Sequence, residues 1–197
     1  MKKAAFLIAF AAASCAWSLV IPSSCESALR RALDADASWV MERRIAGSDR
    51  TLVSTGVVSC AAMRGVIWDV RHPFPETISM TTNSMSFADE DGVRVKPLSE
   101  LPHYADIRRE ADAFLSGDPK AFDGAVDIET RFGADGEWTL TFRPAVRQVK
   151  RLLESVEVCG TDVVSRVVLK TADGGVSTIR FVELGRGTHS LWKDDGK

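Results

Sequence analysis

The sequence has few of the side chains from which catalytic and metal sites are usually built. Its 197 residues include three histidines and four cysteines. His72, His103 and His189 form neither an HExxH motif nor a helical i, i+4 pair, and the cysteines lack CxxC or zinc-site spacing. There is no GxSxG elbow, and Gly174-Gly175 and Gly185-Arg186-Gly187 do not join a strand to a helix as phosphate-binding loops do. We therefore expect neither an enzyme nor a protein with a bound metal or cofactor.

A basic excess is missing as well. Lys and Arg total 25 against 27 Asp and Glu, which gives a net charge of −2. Loss of Lys2 and Lys3 with an N-terminal leader would change this value from −2 to −4. Proteins that bind nucleic acids normally carry a strong basic excess, so a nucleic-acid partner is not expected.

No linker rich in Pro, Gly or Ser divides the chain, and no internal repeat is present. Apolar residues make up 45% of the composition, which is enough for one sizeable core. We therefore expect a monomer in which residues 26–197 form a single domain.

The first 25 residues have the pattern of a secretory signal peptide. A basic start, Met1-Lys2-Lys3, precedes an uncharged run over residues 4–21, and Pro22-Ser23-Ser24-Cys25 supplies a helix breaker and small residues. Cleavage between residues 24 and 28 would release the protein into the periplasm. Two alternatives remain open, namely an uncleaved anchor and a lipid attached to Cys15 or Cys25.

Removal of the leader leaves Cys60 and Cys159 in the domain. An oxidising compartment permits a disulfide between them, but sequence alone cannot bring their Cα atoms within bonding distance. A disulfide and two buried free thiols are both compatible with the sequence.

Hydrophobic periodicity predicts an α+β fold dominated by strands. Helices are expected over residues 26–37 and 102–116, with a weaker one over 145–152. Asp91-Gly92, Asp135-Gly136 and Asp173-Gly174 are typical hairpin turns. The count is about eleven strands joined by short loops, which indicates an antiparallel sheet that curls toward a barrel, with helices over its concave face. The expected strands include 52–60, 66–70, 77–80, 84–87, 138–142 and 178–182, with two more around Val156/Val158 and Val163/Val167/Leu169.

Several polar groups have ordinary structural interpretations. The segment Asp89-Glu90-Asp91-Gly92 fails the calcium-loop pattern and is predicted to be a hairpin turn. Asp127 and Glu129 are predicted to lie on a solvated strand face. A basic group, Arg143, Arg147, Lys150 and Arg151, is either a solvated helix face or a docking patch for an acidic partner or anionic headgroups.

Large aromatic and Met side chains recur on the predicted strands. They are compatible with an ordinary core and also with a pliable apolar cavity for variable ligands. These residues are Trp39, Met41, Trp68, Met80, Met85, Phe87, Trp138 and Phe142.

The order of several short motifs resembles the LolA-type periplasmic lipoprotein carriers, in particular the branch associated with lipid or aryl-polyene export. The resemblance covers about residues 30–183. The motifs are Val40-Met41-Glu42-Arg43-Arg44, Ser54-Thr55-Gly56, Arg64-Gly65-Val66-Ile67-Trp68, His72-Pro73-Phe74, Leu115-Ser116-Gly117-Asp118, Trp138-Thr139-Leu140-Thr141-Phe142-Arg143-Pro144, Asp173-Gly174-Gly175 and Thr178-Ile179-Arg180-Phe181.

This resemblance implies an unclosed antiparallel barrel of about eleven strands, with helices as a lid. It also implies that Val66, Trp68 and Val70 point inward and that Arg64 latches the lid. The residues expected to line a lipid-binding cavity are Trp39, Met41, Val66, Trp68, Ile78, Met80, Met85, Phe87, Leu115, Trp138, Leu140 and Phe142.

The function implied is that of a periplasmic carrier for the acyl chains of a lipoprotein or lipid. Its partners would be an inner-membrane exporter and an outer-membrane acceptor. An acceptor lipoprotein anchored in the outer membrane and a periplasmic lipid-sensing regulator are the alternatives.

Overall fold

The computed structural model describes residues 21–61, 64–81, 83–100, 126–145, 147–186 and 191–192. A helix precedes the sheet, a 3₁₀ turn follows the sixth strand, and a one-turn helix links the eighth and ninth strands. In chain order the elements are α1 (Ser23–Ala32), β1 (Ala35–Arg44), β2 (Thr51–Ala61), β3 (Gly65–His72), β4 (Glu76–Thr81), β5 (Ser84–Asp89), β6 (Gly92–Pro97), the 3₁₀ turn (Leu98–Glu100), β7 (Val126–Phe132), β8 (Trp138–Pro144), α2 (Arg147–Lys150), β9 (Leu153–Gly160), β10 (Val164–Thr171) and β11 (Val176–Arg186).

The strands form one antiparallel sheet in the order β6-β5-β4-β3-β2-β1-β11-β10-β9-β8-β7. Two meanders, β1 to β6 and β7 to β11, are joined by the pairing of β1 with β11. Because β6 and β7 lie at opposite edges, the sheet is not closed. The predicted α+β fold, an unclosed half-barrel of antiparallel strands with a helix against it, is confirmed.

Alternation along the strands separates an apolar face from a polar one. We call the inner face the side that carries Ala37, Trp39, Val58, Trp68 and Leu140, and the opposite side the outer face. The core cluster lies on the inner face. Helix α1 completes the cluster with Ile21, Cys25, Ala28 and Leu29. No helix in the described part of the chain is long and apolar enough to cross a membrane.

The first helix differs from its predicted bounds of 26–37. Helix α1 ends at Ala32, and β1 already begins at Ala35. Ala35 and Ala37 fit a helix by composition, but they alternate in register with Trp39, and both neighbouring strands bind this part of β1. The ladder and the buried face of β1 therefore override helix propensity here. The helix also begins inside the predicted leader, at Ser23.

The remaining helix predictions have different outcomes. Residues 102–116 lie outside the described part of the chain. The expected helix over 145–152 is reduced to the single turn of α2, Arg147–Lys150. The backbone leaves the helix there because β9 begins at Leu153 and pairs with β8 and β10.

The three predicted Asp-Gly turns each connect two paired strands. Gly92, Gly136 and Gly174 have φ values of 122°, 75° and 87°, in the region that favours glycine. Asp173 Oδ1 accepts hydrogen bonds from Thr171 Oγ1 at 2.6 Å and from the Gly175 amide at 3.2 Å. The segment 89–92 is a hairpin turn, as expected, and the Arg94 guanidinium binds Asp89 there.

The start of β10 departs from simple alternation. A strand was predicted around Val163, Val167 and Leu169; it begins at Val164, and the register shifts between Val164 and Arg166. This bulge places Val164 in the core and leaves Val163 half-buried.

Cys60 and Cys159 are both buried free thiols. Cys60 lies on the inner face of β2, whereas Cys159 lies on the outer face of β9, four strands away in the sheet. At about 4.8 Å per strand this separation is far beyond disulfide reach. The structure therefore selects the alternative of two free thiols.

Candidate functional site

The residues predicted to line a cavity lie together on the inner face. Leu115 is the exception, since it falls outside the described residues. Cross-strand pairing joins Val66, Met80 and Met85 in one row and Trp68, Ile78 and Phe87 in the next.

The second half of the sheet continues this surface. A single row crosses five adjacent strands, from β8 to β1, through paired side chains. Its members are Leu140, Val158, Val167, Ile179 and Met41. The apolar surface is therefore continuous across the line where the two meanders meet.

Burial differs along the inner face. Trp39, Trp138 and Leu140 are almost fully buried, at 1%, 1% and 0% exposure. Met41, Met80 and Phe87 are half-buried and pack against the core cluster. Two of these three are Met, whose flexible side chain adapts to different neighbours at low cost.

Two tryptophans on this face each lie over a glycine of the neighbouring strand. Trp39 is paired with Gly56, and Trp138 is paired with Gly160. A Cβ atom at Gly56 would stand 2.7 Å from Trp39 Cζ2, and one at Gly160 would stand 2.9 Å from Trp138 Cζ2. Glycine leaves the backbone bare and makes room for each indole ring to lie against the sheet.

Neither glycine was predicted to have a role. Gly56 is part of the motif Ser54-Thr55-Gly56, and Gly160 belongs to none of the motifs named above. A glycine inside a strand pattern is a signal for close approach of another group. Knowing which Trp approaches, however, requires the strand register.

An aromatic pair fixes the middle of the inner face. The rings of Trp39 and Trp68 are stacked with centroids 4.6 Å apart and an interplanar angle of 25°. Such pairs contribute about 0.5–1.5 kcal/mol beyond the burial of their area. The stack therefore holds Trp39 in one orientation on the central strand.

The polar atoms of the two buried indoles have different environments. Trp138 Nε1 donates a hydrogen bond to the carbonyl oxygen of Thr161 at 2.6 Å. Trp39 Nε1 is equally buried, yet none of the described residues gives it an acceptor. A buried donor without a partner costs about 1–3 kcal/mol.

Cys60 adds no charge to the inner face. Burial, reinforced by the negative charge of Asp36, raises the pKa of the Cys60 thiol to about 12. The thiol is therefore neutral at physiological pH and behaves as a small apolar group.

The apolar surface ends at the edge strand β6. In register with Met85 and Phe87, the inner positions of β6 are Lys96 and Arg94. Outer positions Val93 and Val95 are exposed instead, at 70% and 61%. The inner face therefore has a basic border on this edge.

Arg64 lies at the turn between β2 and β3. Its amide donates to the Ala61 carbonyl at 3.0 Å, and its guanidinium stands 5.4 Å from the centroid of the Trp192 ring. This distance is within the range of a cation–π contact. The resemblance implied only that Arg64 latches the lid, and the latch stays a prediction.

The predicted basic group is divided between two places. Arg143 lies on the outer face of β8 and binds Glu129 at 3.0 Å, while Arg131 binds the same carboxylate at 2.7 Å. The hydrogen bonds from Arg131 and Arg143 lower the pKa of Glu129. Glu129 with its two arginine partners and the exposed Asp127 form the solvated face that was predicted for β7.

The other members of the basic group, Arg147, Lys150 and Arg151, are exposed on and after α2. The adjacent Leu152 is 63% exposed. These residues keep both predicted interpretations, a solvated surface and a docking patch.

The fold defines a class of proteins in which an unclosed half-barrel has an apolar inner face that a helix covers in part. The family described as "Outer membrane lipoprotein carrier protein LolA-like" matches residues 28–177, and the chain belongs to this LolA-like family. The family is one of periplasmic or envelope lipoprotein-sorting proteins and is generally non-enzymatic.

Solved structures with a similar fold have little sequence identity with the chain. A LolA superfamily protein from Nitrosomonas europaea is 13% identical, with a TM-score of 0.42, over 81% of this chain and 91% of that one. A DUF1329 family protein from Desulfovibrio piger is 10% identical, with a TM-score of 0.43, over 86% and 94%. LprF from Mycobacterium bovis is 12% identical, with a TM-score of 0.39, over 88% and 95%. No curated protein sequence matches the chain.

Proposed function

We propose that the protein is a periplasmic carrier that holds the acyl chains of a lipoprotein or lipid on its inner face and shuttles them toward the outer membrane. The observation that carries this proposal is the apolar row from Leu140 to Met41, which ends at Ser54 on β2, together with the separate apolar rows on β3 to β5. An acyl chain laid along these rows meets only apolar side chains over most of the sheet.

Transfer energetics explain why such a surface is needed. Exposure of an acyl chain to water costs about 0.8 kcal/mol per methylene, so a sixteen-carbon chain costs on the order of 12 kcal/mol. A carrier that crosses an aqueous compartment must offset this cost and still release its cargo. An unclosed sheet that can be uncovered again meets both requirements.

Helix α1 is the described element that has to move for a guest to reach the inner face. After loss of residues 1–25 it packs there through Ala28 and Leu29. Full burial of a Leu side chain contributes about 1.5–3 kcal/mol and that of an Ala side chain less, so α1 is held by on the order of 3 kcal/mol. A long acyl chain gains more than this on burial and can therefore displace the helix.

The remaining parts of the proposal follow from the same reasoning. The protein acts as a monomer without catalytic activity, and residues 1–25 form its signal peptide. It receives cargo from an inner-membrane exporter and delivers it to an outer-membrane acceptor. Arg64 latches the lid.

One observation bears on the alternative of a lipid anchor. Cys25 is fully buried in the core side of α1, at 0% exposure, and burial raises the pKa of its thiol. A lipid on this sulfur is incompatible with the packed helix, which favours a soluble carrier over an acceptor anchored through Cys25.

Native mass spectrometry of protein isolated gently from the periplasm tests the function. We expect an adduct of lipid mass on the wild type. Met41→Glu places a charge in the apolar row and should reduce the adduct, whereas Val53→Glu, at a 54% exposed outer position of the next strand, should retain it. A wild type without any such adduct would contradict the proposal.

A further inference from the structure

The unsatisfied donor on the inner face is the feature that the carrier function alone does not explain. Trp39 is 1% exposed, and its Nε1 has no hydrogen-bond acceptor in the described part of the chain. An ordinary hydrocarbon pocket would gain stability from Phe at this position, because Phe buries a similar area without an unpaired N–H. The donor therefore calls for a ligand that supplies an acceptor.

Trp138 provides an internal comparison. Both indoles lie on the inner face, both are 1% exposed, and both lie over a glycine of the next strand. The Trp138 N–H is paired with the Thr161 carbonyl at 2.6 Å. The described residues thus satisfy one of two closely similar donors and supply no acceptor to the other.

The position of Trp39 suits an anchoring role. Strand β1 is the middle strand of the eleven, with five strands on either side. The stack on Trp68 and the bare backbone of Gly56 hold the ring in place. A group bound at Trp39 would leave apolar rows on both sides, on β3 to β5 and on β8 to β11, for attached hydrocarbon chains.

We propose that the indole N–H of Trp39 binds the carbonyl oxygen of an ester or amide that joins the guest's acyl chain to its head, so that the protein selects acyl over alkyl guests. The inference rests on the proposed function and adds a substrate class to it. Acyl esters and amides carry a strong acceptor at the start of the chain. An ether at the same place is a far weaker acceptor.

Two lysophospholipids that differ at one group test this inference. The 1-acyl and 1-O-alkyl lysophosphatidylcholines have the same headgroup and chain length and differ only in the carbonyl. Calorimetric titration below the micellar concentration gives the two affinities. We expect the wild type to bind the ester about tenfold more tightly than the ether, which corresponds to about 1.4 kcal/mol.

Two matched variants show which indole N–H is responsible for the preference for the ester. Trp39→Phe keeps an aromatic ring over Gly56 but lacks the donor, and it should bind ester and ether equally. Trp138→Phe removes a donor that the protein itself satisfies, and it should keep the tenfold preference. Because Trp138→Phe leaves the Thr161 carbonyl unpaired, we expect it to lower stability more than Trp39→Phe does.

A measurement on the wild type keeps the inference testable even if a variant does not fold. In a nitrogen–proton correlation spectrum, the Trp39 indole signal should move downfield when the ester is added, and the Trp138 signal should stay in place. Equal binding of both lipids by the wild type, with no shift at Trp39, would overturn the inference and leave the carrier function intact. Failure of both lipids to bind would contradict the proposed function itself.

Discussion

A methyl group at Gly56 is the smallest change that should disrupt both the sheet and its inner face. A Cβ there would lie 1.9 Å from the carbonyl oxygen of Asp69 and 2.7 Å from Trp39 Cζ2. The first contact is with the backbone of β3, which cannot rotate away as a flexible side chain can. Overpacking of a core typically costs about 1–3 kcal/mol, and a clash with paired backbone belongs at the upper end. We therefore expect Gly56→Ala to destabilise the protein by about 3 kcal/mol or more.

Urea unfolding followed by far-UV circular dichroism measures this effect. Gly133→Ala is the matched control, because a Cβ there meets its nearest atom, the Glu137 carbonyl oxygen, at an ordinary 3.4 Å. That variant should stay within about 0.5 kcal/mol of the wild type. In a Trp39→Ala background the ring contact is gone but the Asp69 contact remains, so Gly56→Ala should still cost about 2 kcal/mol. A cost below about 1 kcal/mol in the wild-type background would refute the register of β1, β2 and β3 described above.

Two further predictions concern buried groups. Since the pKa of Cys60 is raised to about 12, the folded state keeps the thiol proton at pH values where the unfolded chain loses it. Relative to Cys60→Ala, the free energy of unfolding of the wild type should therefore be constant below pH 9. Above pH 9 it should fall by about 1.4 kcal/mol per pH unit. Equal pH profiles of the two proteins in urea unfolding would contradict the burial of this thiol. A chain that starts at Ile21 should be more stable than one that starts at Glu26 by about 2–4 kcal/mol, because Ile21 and Cys25 are 9% and 0% exposed. Equal urea midpoints would show that the first turn of α1 does not pack on the sheet.

The half-barrel was predictable because its strands keep strict alternation over long stretches. Strand β3 alternates Val66, Trp68 and Val70 toward the inner face, and β8 does the same with Trp138, Leu140 and Phe142. Most strands meet their neighbours through short turns, of which three carry the Asp-Gly pair. Local sequence therefore determines both the face of each side chain and the order of hairpins.

Other features depend on contacts between distant parts of the chain. The boundary between α1 and β1 follows from pairing with β2 and β11, which local propensity at Ala35 does not reveal. The bulge between Val164 and Arg166 places Val164 in the core together with Val167, which simple alternation along the strand does not predict. The opposite faces of Cys60 and Cys159 exclude a disulfide only once strand order and register are known.

The inner-face residues were found from composition and resemblance, whereas the polar detail was not. The sequence indicates that Trp39 and Trp138 are large apolar side chains of similar kind. Only the structure shows that Thr161 satisfies one indole and that the other finds no acceptor among the residues described. The glycines beneath the two rings became significant for the same reason.

The free edges of the sheet have a mechanical consequence. A closed barrel has a circumference fixed by strand number and stagger, so its bore cannot widen without rupture of a backbone ladder. Here β6 and β7 are not joined, and the sheet can flatten or tighten while every interstrand ladder stays intact. Arg94 and Lys96 on the inner side of β6 discourage another sheet from adding to that edge. In the function proposed above, such a sheet would adapt to thin and bulky acyl guests while the protein remains a separate molecule.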